Sequence, residues 1–363
     1  MTQPQVELLA TWGTPEGGSG DNAFRRPEAL ATDSAGNLLV ADTGNHRILK
    51  LDPNGNLIWK IGGIDDAGEP WAGTAMAEFN SPQAICTDNE NNVYVCDTLN
   101  CRVQKFDGDG NQLLIFGTQG LGYGQFGGEG PLGIAIDENG YMLVCDTHTS
   151  IGGNHRVQKL DQNGHFVAQF GSYGTGLGQF GGAMPVREYG LDFGPGIGPG
   201  PIGPTGIVVN QNAQHISDKN NWGADIYVGD CDNDRLQVFK GIGLCDGSFG
   251  DGVVFRPRQL SMDGSGRLYV SGVHKHEPPM ETYDLTDPLK WRVVEESRWV
   301  WVFDVGSKQL IGRIGTKEAH DRMTHNYGAG LHRHGYGLAV CKADDSIVYV
   351  QGDNLVFKYQ VTW

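Results

Sequence analysis

Long apolar runs are missing from this sequence of 363 residues. The longest, such as LLVA at 38–41, span a few residues, whereas a membrane-spanning helix needs about 20. Basic runs are also missing, and 27 Lys and Arg against 43 Asp and Glu give a net charge of −16. Because such a surface repels phosphate groups, we expect neither a nucleic-acid nor a membrane partner. The N-terminal MTQPQVELLATWG lacks the basic and apolar parts of a secretory signal, so we expect a cytoplasmic protein.

The seven cysteines are scattered and form no C-x-x-C pair. Cys96 and Cys145 each lie between Val and Asp, where matching segments have Ala41 and Gly229. A position that accepts only small residues is typical of tight packing, so we expect buried thiols and no disulfide framework.

Internal repetition is the strongest pattern present. Three similar segments begin at Phe24, Phe79 and Gly130, and the aspartates Asp42, Asp97 and Asp146 recur at spacings of 55 and 49 residues. Three degenerate copies follow, the last of them GYGLAVCKADDSIVYVQGDNLVFKYQV. Each unit carries four short runs typical of strands, in the first unit EALATD, LLVADT, HRILKLD and LIWKIGG, separated by Gly- and Asn-rich turns.

Four antiparallel strands in about 40 residues form one blade of a propeller. The sixth unit ends after three such runs, and VELLATWG at 6–13 matches the missing fourth. We therefore predict an all-β, six-bladed β-propeller occupying residues 1–363 as a single domain, with the N-terminal strand closing the last blade.

The first three units match closely, with single departures, the pattern F-x-x-P-x-x-(I/L)-A-x-D, G-N-(L/V)-x-V-x-D and N-x-R-(I/V)-x-K-(F/L)-D. This pattern resembles the NHL-repeat family of β-propellers, and fragments of it continue to the C-terminus. The resemblance implies the fold; its activity stays open, because the family includes scaffolds, RNA binders and enzymes.

Histidines are concentrated on one predicted face, called here the top face, which carries the loops between the second and third strands and the connections between blades. Nine of eleven belong to it: His46, His148, His155, His274, His276, His320, His325, His332 and His334. His46 and His155 occupy an N-x-R position that also takes Cys101 and Asp234, so we interpret both as part of the repeat.

Two H-x-H pairs, His274 with His276 and His332 with His334, place two imidazoles on one side of an extended segment. We expect them to bind a divalent transition metal, Zn, Fe, Cu or Ni. The alternative is that these histidines are solvated loop residues. Nothing indicates a nucleotide cofactor.

A second set of side chains is expected deeper, around the upper end of the central channel. It comprises the residue after the first proline of each unit, or after the equivalent position in the sixth unit: Glu28, Gln83, Leu132, Thr205, Arg258 and Tyr336. An acid, a guanidinium, a phenol and an amide there are suited to acid–base chemistry and substrate orientation. The alternative is that a water-filled channel simply requires polar walls.

Amidating-lyase propellers, to which the NHL resemblance extends distantly, carry zinc-binding histidines in this same position, and this sequence has none there. Gluconolactonase-like propellers hold a divalent ion with channel acids and amides, which Glu28 and Gln83 resemble in type. Two insertions, 172–204 and 273–296, are predicted to be lids on the top face; the alternative is that they have no function. Asp42, Asp97, Asp146 and Asp230 are predicted to be structural.

The sequence therefore predicts an enzyme acting on a small molecule at the top of the channel, with lyase, hydratase or hydrolase chemistry assisted by a metal. Arg258 would hold an anionic group, Glu28 or a rim histidine such as His148 would move a proton, Tyr336 would assist, and Gln83 and Thr205 would bind substrate. The alternative is a non-catalytic propeller whose top-face loops bind a protein partner.

Overall fold

Six antiparallel sheets make up the computed structural model of the chain. It describes residues 4–64, 67–127, 130–147, 154–182, 203–210, 225–241, 243–254, 256–272, 300–314, 337–352 and 354–363. In that part of the chain, no helix has the length and apolar character needed to cross a bilayer.

Each blade has four strands running outward from the centre, and blade 1 has a fifth at its outer edge. Blade 1 contains β2 Ala29–Thr32, β3 Leu38–Asp42, β4 Arg47–Leu51 and β5 Leu57–Ile64, extended by β6 Pro70–Trp71. Blade 2 contains β7 Pro82–Thr87, β8 Val93–Asp97, β9 Arg102–Phe106 and β10 Gln112–Phe116. Blade 3 contains β11 Pro131–Ile136, β12 Met142–Asp146, β13 Arg156–Leu160 and β14 Phe166–Phe170.

The connection to blade 4 contains a short parallel pair, β15 Tyr173–Gly174 and β16 Phe180–Gly181. Blade 4 contains β17 Pro204–Asn210, β18 Asp225–Asp230, β19 Arg235–Lys240 and β20 Leu244–Phe249. Blade 5 contains β21 Leu260–Met262, β22 Arg267–Ser271, β23 Val300–Asp304 and β24 Gln309–Ile314. Blade 6 contains β25 Leu338–Cys341, β26 Asp344–Gly352 and β27 Leu355–Thr362.

Both ends of the chain meet in blade 6. The N-terminal strand β1, Gln5–Gly13, pairs antiparallel with β27, from Gln5 opposite Thr362 to Gly13 opposite Leu355. This confirms the predicted six-bladed all-β propeller closed by its N-terminal strand.

The side chains of the second strand point alternately to the two faces of a blade and pack against both neighbouring blades. All five residues of β3 are buried. Leu38 and Val40 lie in an apolar cluster with Tyr349 of blade 6, whereas Leu39 and Ala41 cluster with Ile85 of blade 2. Because successive side chains of a strand point to opposite faces, one short apolar run contributes to two interfaces.

The predicted small-residue position is confirmed as a packing position. Cys96 and Cys145 are fully buried, and burial raises the pKa of both thiols well above the ordinary value. All seven cysteines are free of disulfide bonds.

A buried aspartate ends the second strand in four blades. Asp97 is 0% exposed. Its carboxylate accepts hydrogen bonds from the backbone N–H of Asn80 at 2.7 Å, Asn100 Nδ2 at 2.9 Å, Arg102 Nε at 2.6 Å and Gln104 Nε2 at 3.0 Å. Asp42, Asp146 and Asp230 make equivalent bonds. The prediction that these aspartates are structural is confirmed.

The arginine of each pair extends the contact to the chain segment that enters the blade. Arg102 donates through Nη1 to the carbonyl of Thr74 at 2.6 Å and through Nη2 to those of Ala75 and Glu78, both at 2.9 Å. Arg47, Arg156 and Arg235 make corresponding contacts. In each of these four blades, one buried ion pair therefore fixes both the corner after the second strand and the connection lying over it.

Threonines link successive blades near the centre. The hydroxyls of Thr43, Thr98 and Thr147 donate to the carbonyls of Pro82, Pro131 and Pro204, respectively, over 2.5–3.0 Å. Each threonine follows the buried aspartate of its own blade and bonds to the first residue of the next inner strand. Blade 4 has Cys231 in that position, and there the hydroxyl of Thr205 donates to the carbonyl of Pro257 at 2.7 Å.

We predict that Asp97→Ala costs about 3–5 kcal/mol of unfolding free energy, because Arg102 is left buried without its carboxylate. Urea unfolding followed by circular dichroism measures this. The matched control is Asp109→Ala in an exposed turn, which should change stability by less than about 0.5 kcal/mol. Equal effects of the two substitutions would contradict the proposed contribution of the buried pair.

Candidate functional site

A central bore runs between the six inner strands. In each sheet the inner strand pairs with a single neighbouring strand, so its second edge, with unpaired backbone groups, faces the bore. The cavity along these edges has a volume of about 610 Å³, which is in the range typical of small-molecule sites.

The upper mouth of the bore, defined here by Glu28, Gln83, Leu132, Thr205 and Arg258, contains five of the six residues predicted to lie there. The register of the inner strands shifts at this level: between Pro82 and Ala84 in blade 2, and between Pro131 and Gly133 in blade 3. Gln83 and Leu132 are the extra residues of these irregularities. Since β-bulges re-aim a side chain, the shift accounts for their position at the mouth. The chemical roles of the five residues stay predictions.

Arg258 is the distinctive charged group of the upper mouth. Its backbone N–H donates to the carbonyl of Ser271 at 2.8 Å, and its side-chain Nε is buried without a hydrogen-bond partner among the described residues. The Nε of the nearby Arg256 is also buried without a partner among the described residues, but the guanidinium of Arg256 is paired through Nη2 with Asp232 Oδ1 at 2.9 Å. Arg258 therefore differs from Arg256 in forming no ion pair with a carboxylate among the described residues.

Gln259, which sequence reasoning missed, crosses the top of the bore. Its Oε1 accepts the N–H of Leu338 at 2.8 Å and that of Leu30 at 3.4 Å, while Nε2 donates to the carbonyl of Leu30 at 2.8 Å. Blade 5 is thereby joined to blades 6 and 1. The equivalent positions of the other blades hold Ala29, Ala84, Gly133, Gly206 and Gly337. A glutamine at a position that otherwise takes only Ala or Gly was therefore the sequence feature that could have identified Gln259.

Gly206 permits the inner strands to approach closely. A Cβ on this residue would lie 2.4 Å from the carbonyl oxygen of Arg258. The backbone that presents Arg258 is thus packed directly against blade 4, and a side chain at position 206 would displace it.

Several predicted site residues lie outside the described part of the chain: Tyr336, His148, His274, His276, His332, His334, His320, His325 and the segment 273–296. The insertion 172–204 is described at 172–182 and 203–204. In its first part, Phe180 is fully buried and packs against Phe239. Within the described residues, no group of three or more His, Cys, Asp or Glu side chains is placed to hold a metal.

The N-x-R position is a backbone feature. His46, Cys101, His155 and Asp234 all adopt positive φ, between 35° and 51°. His46 accepts the N–H of Ser81 at its Nδ1 over 3.0 Å, so its ring connects blade 1 to the start of blade 2. Burial and the nearby Arg26 lower the pKa of His46. This agrees with the interpretation of the position as part of the repeat.

Six four-stranded blades around an open bore, with the chain ends sharing one blade, define the class of protein as a six-bladed β-propeller. Two solved structures support this fold: a streptogramin B lyase, with TM-score 0.51 and 13% identity over 99% of this chain and 98% of that one, and virginiamycin B lyase from Staphylococcus aureus, with TM-score 0.50 and 9% identity over 98% and 99%. At these identities the likeness is one of fold alone.

The model of the NHL repeat matches residues 24–51 and 79–106. NHL repeat-containing protein 2 of Gallus gallus is 40% identical over 82 residues, 22% of this chain and 11% of that protein. NHL repeat-containing protein 3 of Mus musculus is 29% identical over 149 residues, 40% of this chain and 39% of that protein. The matches span well under two thirds of these relatives. These matches show two NHL repeats, one in blade 1 and one in blade 2, within a six-bladed β-propeller.

We predict that His46 makes stability depend on pH. Its lowered pKa means that its contribution is fully present above the ordinary value of 6.5 and is lost as pH falls through the folded-state pKa, because protonation removes the acceptor for Ser81. Thermal unfolding at pH 7.5 and pH 5 should show that wild type loses more stability than His46→Asn, since asparagine tolerates positive φ and keeps an acceptor oxygen. If the difference in thermal stability between wild type and His46→Asn is the same at both pH values, the prediction is wrong. The control is His165→Asn, in an exposed turn.

The predicted metal site gives a second test. Purified protein should contain about one transition-metal ion per chain, and both double variants, His274→Ala/His276→Ala and His332→Ala/His334→Ala, should lose it, because each removes two imidazole ligands. Elemental analysis by mass spectrometry measures the content, with His165→Ala as the control. Protein that purifies free of metal after growth with all four metals, or double variants that keep the metal, would show the prediction to be wrong.

Proposed function

We propose that this propeller is an enzyme that binds an anionic small molecule in the upper mouth of its bore. The observation that carries the proposal is Arg258, whose Nε is buried without a described partner on the wall of a cavity of about 610 Å³. A buried donor without an acceptor is unfavourable, and a ligand carboxylate or phosphate would supply that acceptor with complementary geometry.

The other groups of the mouth suit orientation and proton transfer. Glu28 and Gln83 line the same cavity from blades 1 and 2, and a carboxyl group facing a bound substrate is a suitable acid or base. In this proposal Arg258 holds the anionic group, Gln83 orients the substrate, and Glu28 moves the proton. The hydroxyl of Thr205 already donates to Pro257, so Thr205 would contact a ligand as an acceptor.

The proposed reaction class is elimination, hydration or hydrolysis. The two propellers of similar fold are lyases by their titles, which agrees with this class. A metal held by His274, His276, His332 and His334 would polarise a substrate oxygen. Since these histidines lie outside the described residues, the roles assigned above to Glu28 and Arg258 do not depend on it.

A second candidate function is binding of a protein partner, and an exposed apolar row favours it. Met76, Tyr123 and Leu177 occupy the same position, three residues before a buried phenylalanine, in three successive connections between blades, and they are 71%, 70% and 61% exposed. Exposed apolar side chains repeated on neighbouring blades are typical of an interaction surface.

We predict that Arg258→Gln weakens binding of the recognised anion at least about tenfold, because a charged donor with a buried Nε is lost from a half-buried side chain. Isothermal titration calorimetry with acetate, succinate, citrate and inorganic phosphate measures this. Arg258→Lys should bind with intermediate affinity, since it keeps the charge and loses the planar donor set.

The matched control is Arg313→Gln, which removes an equal charge from an exposed position on β24 and should leave the affinity unchanged. If none of the four anions binds, or if Arg258→Gln binds as wild type does, the upper mouth is not an anion site. Partner binding that is lost in Met76→Ser/Tyr123→Ser/Leu177→Ser and kept in Arg258→Gln would then support the second candidate.

A further inference from the structure

Lys342 lies at the opposite end of the bore from Arg258. It occupies the two-residue turn between Cys341 and Asp344, where β25 reverses into β26. Its side chain lines the cavity together with Cys86, Ser34 and Asn89, and the residue is exposed. The amine is therefore reached through the lower part of the bore, on the side where the hairpin turns of the blades lie.

Both ends of Lys342 are positioned by neighbouring blades. Its backbone N–H donates to Thr32 Oγ1 at 2.9 Å, and its Nζ donates to the carbonyl of Thr87 at 2.9 Å. Thr87 in turn donates from its hydroxyl to the carbonyl of Thr32 at 2.8 Å. The side chain consequently spans from blade 6 past blade 1 to blade 2, and the amine is held in one place without a charged partner.

The carboxylates near Lys342 are engaged by other groups. Asp33 is paired with Lys50 at 2.9 Å, and Asp88 accepts hydrogen bonds from Asn92 and the hydroxyl of Tyr94. In the described structure Lys342 forms no ion pair, whereas Lys50, Lys60, Lys159 and Lys240 each do.

Although part of the residue is exposed, burial of its amine end against Thr87 lowers the pKa of Lys342, and Cys86, Asp88 and Asp33 act in the opposite direction. The same burial raises the pKa of the adjacent Cys86 thiol to about 12, so Cys86 stays neutral and does not compete as a nucleophile at neutral pH. A lysine with a lowered pKa and no ion pair, facing a cavity, is suited to adding to carbonyl groups as the neutral amine.

We propose that Lys342 is a nucleophilic amine that captures a small aldehyde or ketone as an imine in the lower part of the bore. The neutral Nζ attacks the carbonyl carbon, and the carbonyl oxygen takes up a proton to give a carbinolamine. This intermediate loses water as the carbon–nitrogen double bond forms, so no oxidant or reductant is needed. The lower walls, formed by Ala135, Val208 and Val340, suit an aliphatic substituent.

Reductive trapping on the full chain tests the proposal. Propionaldehyde forms the imine, and sodium cyanoborohydride transfers hydride to its carbon, which leaves a stable propyl group that peptide mass spectrometry locates. Lys358 is the internal control, because its Nζ also donates to a carbonyl, that of Pro53 at 2.8 Å, and it lies outside the residues lining the bore. Only the neutral form of a lysine amine forms the imine. At pH 7 the neutral fraction of a lysine rises about tenfold for each unit by which its pKa is lowered.

We expect Lys342 to be propylated several-fold faster than Lys358 at pH 7, because a lowered pKa leaves more of the Lys342 amine neutral. Lys342→Arg should lose this fast labelling and leave the rates at other lysines unchanged. Labelling of Lys342 at or below the rate of Lys358 at pH 7 would overturn the proposal. Arg258→Gln should keep the fast labelling, so the result is independent of the anion site.

Discussion

A buried aspartate carboxylate is the interaction on which the arrangement of the top face depends. In four blades it takes up a backbone N–H, an asparagine amide and an arginine at the corner after the second strand. Burial raises the pKa of Asp42, Asp146 and Asp230, and the arginine and the other donors oppose that rise. Because the arginine also binds the entering connection, the loops above the blades have a defined starting point, and the mouth of the bore is placed relative to them.

The bore itself follows from closing six sheets into a ring. Every blade needs an innermost strand, and that strand cannot pair on its inner edge, so backbone N–H and C=O groups collect around a central space. Gln259 and Lys342 use these groups: the first binds Leu30 and Leu338 near the top, and the second binds Thr87 near the bottom. The two side chains tie non-adjacent blades together and leave Arg258 as the cation of the upper mouth that has no described partner.

Much of the architecture was predictable from the sequence, because the repeat carries it in local signals: alternating strands, Gly-Asn turns, and VELLATWG as the strand missing from the sixth unit. The residues of the upper mouth were also predictable, since each follows the first proline of its unit. Gln259 and Lys342 were not, because their roles depend on which blade lies opposite across the bore, and no local pattern specifies that. The sequence also could not predict that Arg258 lacks an ion pair. Arg256 is equally basic, and only the fold determines which of the two arginines pairs with Asp232.

The most direct measurement of the central claim, that the bore is a ligand site anchored by Arg258, is nuclear magnetic resonance of the arginine Nε–H groups in protein labelled with ¹⁵N-arginine. The resonance of the buried Arg258 Nε–H is assigned by its disappearance in Arg258→Gln. This resonance should shift strongly on titration with the bound anion, and the Nε–H should exchange more slowly with water. The resonances of Arg47 and Arg102, which are engaged by aspartates, should stay in place. An Arg258 resonance that remains unchanged while the anion binds elsewhere would contradict the account.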